Sequence, residues 1–177
     1  GDVYKRQNIN WGAPSWDLFI ILFFIVAAFL YGLSLGRDRI IVILVSLYMG
    51  LAIVNSAPYL NNFSAEISLN NASIFKVSVF LGLFVILFFL LSRSALINTL
   101  ASSDSSGRWW QSIIFSFFHV GLMISIVMTY LPYEYLNSIS EGMRNLFISD
   151  PAKFFWLVAP IVTMVLIRKP KKSSPVV

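Results

Sequence analysis

Long apolar runs separated by short polar segments dominate this chain. Five of these runs come close to the length that a helix needs to cross a bilayer, about 20 residues. We therefore predict membrane-spanning helices over about 16–35, 40–57, 75–91, 113–131 and 152–167. The last run is short and contains Pro160, so the alternatives are a thin span, a kink or a re-entrant segment. The basic residues that follow it favour a full span.

A weaker pattern lies between the fourth and fifth runs. Apolar residues recur there at roughly helical spacing from 133 to 149, with Glu134, Glu141 and Arg144 between them. This pattern predicts a short helix on the membrane surface. The predicted fold class is all-α: a polytopic membrane protein with about five transmembrane helices plus a short interfacial helix.

The composition excludes a water-soluble globule. Hydrophobic residues make up 58% of the chain and charged residues only 12%, where soluble domains carry about a quarter. The net charge of +5 raises the question of nucleic acid. However, four basic residues stand together at 168–172 directly after an apolar run, which is typical of an anchor facing anionic lipid. The predicted partner is therefore the lipid bilayer and not nucleic acid.

Residues 1–7 are set apart from the single transmembrane domain that we predict over 8–177. The hexapeptide Asp2-Val3-Tyr4-Lys5-Arg6-Gln7 is what the nucleotides GAT GTG TAT AAG AGA CAG would encode. That string resembles the end of a transposon adapter used for sequencing libraries. We expect these residues to be adapter read-through at the edge of a gene fragment. A genomic sequence that encodes the same hexapeptide upstream of Asn8 would contradict this expectation.

Basic residues are distributed unevenly between the two sides of the predicted bundle. One side carries Arg37, Arg39, Arg93, Arg108, Arg168, Lys169, Lys171 and Lys172. The other side carries Lys76, Arg144 and Lys153. Because Lys and Arg are retained on the cytoplasmic side, this asymmetry predicts an N-terminus outside and a C-terminus inside.

Small residues recur every four positions on the first two helices. They are Ala28, Gly32 and Gly36 on the first helix, and Ser46 and Gly50 on the second. Such stripes let helix backbones approach closely where lipid supplies no hydrophobic drive. A polar turn at 36–39 would join the two helices, so we predict a close antiparallel pair with the small residues at the contact. Dimerisation through the same face is the alternative.

His119 is the one histidine, and it lies six residues into the fourth predicted helix, roughly 9 Å along its axis. An ionisable group at that depth indicates a proton relay or a polar gate. No carboxylate lies in the same apolar run to pair with it. Ser112 and Ser116 share its helix face, so a neutral imidazole bonded to hydroxyls or to a neighbouring helix is the simpler interpretation.

Other polar residues add further candidates. Asn55 lies near the end of the second helix, and Arg37, Asp38 and Arg39 form the densest charge cluster of the first hairpin. The cluster could hold a partner or a lipid phosphate, but a solvated turn of little energetic value is the simpler interpretation. The spans contain no Ser-Lys, Asp-Asp or HExxH arrangement, and the chain has no cysteine. We therefore predict no enzyme, no cofactor and no metal.

The first hairpin, from Asp17–Ile21 through Tyr31–Arg39, resembles the colicin V production (CvpA-type) family of bacterial inner-membrane proteins. Those proteins also place an acidic residue before an apolar run that ends in a Gly and Arg turn and a second span. The likeness covers about the first third of the chain, and the stretch 151–167 departs from it as an added span. The resemblance implies a non-enzymatic protein of the bacterial cytoplasmic membrane, associated with envelope homeostasis and export.

Two functions remain open at this point. The first is a scaffold or accessory factor in envelope or export processes, with other membrane proteins or further copies of the chain as partners. The second is a small oligomeric transporter or channel subunit, because His119, Asn55 and Pro160 are the kinds of polar and helix-breaking residues that line transport paths.

Overall fold

The computed structural model describes residues 15–34, 36–60, 69–94 and 109–166, and each regular element among them is a helix. In chain order these are α1 (Trp16–Ser34), α2 (Gly36–Ser56), α3 (Leu69–Arg93), α4 (Trp109–Tyr130), α5 (Tyr133–Leu136), α6 (Glu141–Phe147) and α7 (Asp150–Leu166). By length and composition α1 to α4 could each cross a membrane, and α6 with α7 would add a fifth span if they form one bent element. The prediction of an all-helical polytopic membrane protein is confirmed.

Helix α4 is the centre of the bundle. In its membrane-spanning stretch 56% of the residues are buried, against 11% in α1 and 6% in α3. Helix α1 packs mainly along α4, and α3 packs mainly along α2. Helices α2 and α7 also pack on α4. The two outer helices therefore expose mostly large apolar side chains, which is the surface that a bilayer requires.

Contacts along the helices define two sides of the bundle. Phe24 of α1 contacts Phe117 of α4 with 4.9 Å between ring centroids, and Gly32 lies opposite Ile113, so α1 and α4 are antiparallel. The hydroxyl of Tyr130, at the end of α4, donates a hydrogen bond to Asn55 near the end of α2. Helices α2 and α4 therefore run in the same direction. We call the end where α1 stops and α2 and α4 start the Ser34 side, and the opposite end the Trp16 side.

Helices α2, α3 and α4 begin four or more residues earlier than the apolar runs predict. Helix α2 begins at Gly36 instead of residue 40, so the predicted polar turn at 36–39 is the first turn of the helix. Helix α3 begins at Leu69 instead of residue 75, and α4 covers Trp109–Tyr130 instead of 113–131. An apolar run marks the part of a helix that matches the lipid interior, whereas the hydrogen-bonded backbone continues into the polar ends.

The predicted close pairing of α1 with α2 is wrong, because α1 packs mainly on α4. A Cβ atom added to Gly32 would lie 2.9 Å from Cα of Ile113, in α4. Gly50 of α2 instead lies opposite Phe80 and Phe84 of α3, with a distance of 3.7 Å from an added Cβ to Cε2 of Phe80. The short connection brings two helix ends together, but it does not decide which faces pack along the length.

The segment after α4 forms two short helices instead of the single predicted helix. Ser140 caps the second of them, α6, by accepting a hydrogen bond from the Met143 amide at 3.3 Å. The Ser140 amide in turn donates to Asp17 at 2.9 Å, which ties the start of α6 to the start of α1. The side chains of Ile139, Met143 and Phe147 are buried in the core. This face of the segment therefore belongs to the interior of the protein.

Helices α6 and α7 are joined by a bend of 44°. The last carbonyls of a helix lack hydrogen-bond donors within that helix. Here, side chains of other helices donate to two of these carbonyls. Trp156 of α7 donates from Nε1 to the Leu146 carbonyl at 2.9 Å, and Ser125 of α4 donates to the Phe147 carbonyl at 2.6 Å. The Trp156 ring also stacks on Phe147, with 5.5 Å between centroids. The bend is thus held from both sides by hydrogen bonds and aromatic packing.

Candidate functional site

His119 lies at the middle of the central helix. Because α4 begins at Trp109 and ends at Tyr130, His119 is about 15 Å from either end. This depth exceeds the roughly 9 Å expected from the apolar run alone. The side chain is buried, with 3% of its surface exposed. An ionisable residue therefore lies near mid-depth in the best-packed helix of the bundle.

Two aromatic rings from the outer helices flank this imidazole. Tyr31 of α1 lies 5.7 Å from it and Phe84 of α3 lies 6.5 Å from it, measured between ring centroids. Among the residues that the structure describes, neither His119 Nδ1 nor the Ser116 hydroxyl has a hydrogen-bond partner. The predicted bond between the imidazole and a hydroxyl of its own helix is therefore not formed by Ser116.

A cavity of about 410 Å³ lies directly outside this layer. It is lined by residues of α1, α2 and α3, namely Leu30, Tyr31, Ser34, Ile43, Phe84 and Phe88. We call it the α1–α3 slot, because α1 packs on α4 and α3 packs on α2, and these two outer helices form its walls. Tyr31 and Phe84 line the slot and also contact the His119 ring. They form the partition between the slot and the buried imidazole.

The chemistry of the slot is apolar and aromatic. Among the residues that the structure describes, its lining contains two polar side chains, Tyr31 and Ser34, and no charged one. The cavity is open to the surroundings, so an apolar molecule could enter it from the side. Within residues 15–34, 36–60, 69–94 and 109–166, no group of three or more His, Asp or Glu side chains could hold a metal ion. The arrangement is suited to binding an apolar chain or ring.

Neither Asn55 nor Arg39 is brought to His119. Asn55 accepts the Tyr130 hydroxyl bond of 2.8 Å on the Trp16 side, roughly 16 Å along α4 from His119. Arg39 is exposed in the first turn of α2. The side chains of Arg37 and Asp38 lie outside the described part of the chain. The structure therefore separates Asn55 from His119, the two polar residues that the transport hypothesis grouped together.

The small residues predicted for helix packing do not all face the same helix. Ala28, Gly32, Ser46 and Gly50 are buried, and Gly36 is the first residue of α2. The Ser46 hydroxyl donates to the Val42 carbonyl of its own helix at 2.8 Å. Since Gly32 faces α4 and Gly50 faces α3, the stripe does not form one common interface.

Sequence reasoning missed Tyr31 and Phe84, and it also missed Gly121. The two aromatic residues carry no local signal, because they resemble the many other large apolar residues of α1 and α3. Gly121 did carry one: a glycine inside an apolar helix is unfavourable unless something packs closely against it. Its neighbour in the structure is the ring of Trp156.

Comparison with protein-family models, with curated proteins and with solved structures finds no match to this chain.

Proposed function

We propose that this membrane protein is a non-enzymatic scaffold or accessory factor of a bacterial inner membrane, acting in envelope or export processes. The observation that carries the proposal is the surface of α1. From Trp16 (60% exposed) through Leu22 (59%) to Leu33 (57%), it presents large apolar side chains along its whole length. A helix held by one face leaves the other free for lipid or for the spans of a partner.

Two features of the sequence support this proposal. The hairpin from Asp17 to Arg39 resembles the colicin V production family, whose members are non-enzymatic. The basic residues also favour one orientation: Arg39 and Arg93 lie on the Ser34 side, and Lys76, Arg144 and Lys153 lie toward the other. By the positive-inside rule, this distribution supports an orientation with the Ser34 side in the cytoplasm and the N-terminus outside.

Affinity purification in mild detergent tests the scaffold proposal. Partner membrane proteins should co-purify with the chain, and Leu22→Ala with Phe29→Ala on the exposed face of α1 should reduce their recovery. The matched control is Ile86→Ala with Phe89→Ala on α3, where both residues are also exposed. Recovery of the chain without any partner, together with no phenotype on deletion of the gene, would contradict the proposal.

A transporter or channel subunit is the second candidate, and two observations favour it. Among the described residues, His119 Nδ1 has no hydrogen-bond partner at mid-depth, and the α6–α7 pair is bent by 44° and carries Pro160 in α7. Intramembrane polar groups and broken helices are common in transport paths. Five spans are few for a complete carrier, so the subunit would act as an oligomer.

Flux into proteoliposomes tests this second candidate. His119→Phe keeps a ring between Tyr31 and Phe84 but removes both nitrogens. Flux of protons or small ions should fall in this variant, whereas Phe117→Leu, on the same helix, should keep it. Flux that is unchanged in His119→Phe would remove the main support for a transport role.

A further inference from the structure

The α1–α3 slot lies in the half of the bundle nearer the Ser34 side. On α1 its lining runs from Leu30 to Ser34, the last residue of the helix. On α2 it includes Ile43, seven residues or about 10 Å from the helix start at Gly36. The slot therefore extends from the partition at Tyr31 toward the membrane face on the Ser34 side.

Basic residues stand at that face. Arg39 precedes Ile43 by four residues, so it lies on the same face of α2, about 6 Å closer to the Ser34 side. Arg93 ends α3 on the same side of the bundle. Exposed basic side chains at a membrane face attract anionic lipid headgroups. The apolar slot at Ile43 is thus followed, on the same face of α2, by the positive charge of Arg39 at the level of the lipid headgroups.

From this juxtaposition we propose that the α1–α3 slot binds one acyl chain of an anionic glycerophospholipid whose phosphate contacts Arg39. At this depth the medium around the protein consists of acyl chains, and the lining is apolar apart from Tyr31 and Ser34. The exposed basic side chain of Arg39 beyond the end of the slot complements an anionic headgroup, which favours a lipid as the occupant.

Photo-crosslinking in nanodiscs tests this site with two probes. One is phosphatidylglycerol with a diazirine on an acyl chain, and the other is phosphatidylcholine with the same label. We expect phosphatidylglycerol to label the peptides that contain Ile43, Phe84 and Phe88, and phosphatidylcholine to label them less. Ser34→Trp places a large ring in the slot and should abolish this labelling. The matched control is Leu33→Trp, next to it on α1 at a residue that is 57% exposed and does not line the slot.

A second protein variant, at the proposed headgroup contact, tests the site if Ser34→Trp fails to fold. Arg39→Gln changes an exposed side chain and should lower phosphatidylglycerol labelling of the slot about fivefold, the effect of one basic residue near an anionic surface, while phosphatidylcholine labelling stays the same. Equal labelling by both lipids in the unaltered protein would overturn the proposal. The proposal would also be overturned if the slot were labelled in the monomeric fraction of the protein but not in a dimeric fraction. A second copy of the chain would then be the occupant of the slot.

Discussion

Trp156 of α7 packs directly on the backbone of Gly121 in α4. A Cβ atom at position 121 would overlap the six-membered ring of the indole, at its Cζ3, Cε3 and Cη2 atoms. The same indole donates its Nε1 hydrogen bond to the Leu146 carbonyl and stacks on Phe147. One glycine thus permits the contact through which the broken α6–α7 pair is attached to the centre of the bundle.

We predict that Gly121→Ala destabilises the protein. The indole is buried and is held by a hydrogen bond, so it cannot move aside freely, and overpacking of this kind costs about 1–3 kcal/mol. The melting temperature in detergent should fall accordingly. Gly82→Ala is the matched control, because an added Cβ there meets nothing within 4 Å and alanine favours the helix. Equal melting temperatures for the two variants would show that the Trp156 ring is not seated on Gly121.

A second glycine prediction concerns the contact of α1 with α4. Gly32→Ala should lower the melting temperature or the accumulation of the protein, because the new Cβ would meet backbone, Cα of Ile113, at 2.9 Å. Gly50→Ala should be tolerated, since its nearest neighbour would be Cε2 of Phe80 at 3.7 Å, an ordinary contact. Ile25→Leu should be nearly silent, because Ile25 is 58% exposed. If Gly50→Ala proved more harmful than Gly32→Ala, the packing of α1 described above would be wrong.

The long apolar helices could be predicted from the sequence because they depend on local properties. A run such as 16–35 is apolar over the length of a bilayer, and that alone makes a helix there. The ends of the helices could be predicted less well. The polar residues at 36–39 fit a turn as well as a first helical turn, because the free amides of a helix start are also solvated or capped by polar groups.

Helix partners could not be predicted, because they depend on contacts between residues far apart in the chain. Gly32 carries a packing signal, but the signal does not say whether α2 or α4 supplies the opposing surface. His119 could be selected as a polar residue in an apolar run, whereas Tyr31 and Phe84 could not be placed beside it. The sequence thus predicted one residue of the candidate site, His119, but not the residues that surround it.

Ser125→Ala should weaken the attachment of α6 to α4. The Ser125 hydroxyl donates to the Phe147 carbonyl at 2.6 Å, and its removal leaves a buried carbonyl without that partner. We expect a loss of about 1–2 kcal/mol in unfolding free energy, together with faster proteolysis between α6 and α7. Thr129→Ala is the control, because the Thr129 hydroxyl bonds the Ser125 carbonyl within its own helix. Similar proteolysis of both variants would contradict a bridging role for Ser125.

The last prediction separates the effect of His119 on the stability of the protein from a role of His119 in function. His119 Nδ1 is buried without a hydrogen-bond partner among the described residues, and such an atom costs on the order of 1–3 kcal/mol relative to an apolar replacement of the same shape. Phenylalanine preserves a ring between Tyr31 and Phe84, and aromatic rings at 5.7 Å and 6.5 Å attract one another. His119→Phe should therefore keep or raise the melting temperature.

His119→Ala should have the opposite effect. It removes the ring from the partition and leaves a cavity behind Tyr31 and Phe84, which costs about 3–5 kcal/mol when an aromatic side chain is removed from a core. The expected order of melting temperatures in detergent is phenylalanine at or above histidine, and histidine above alanine. A large loss of stability in His119→Phe would show that the imidazole has a partner on which the fold depends. If the order holds, selection for stability does not explain a histidine at this position, and its presence points to a role in function.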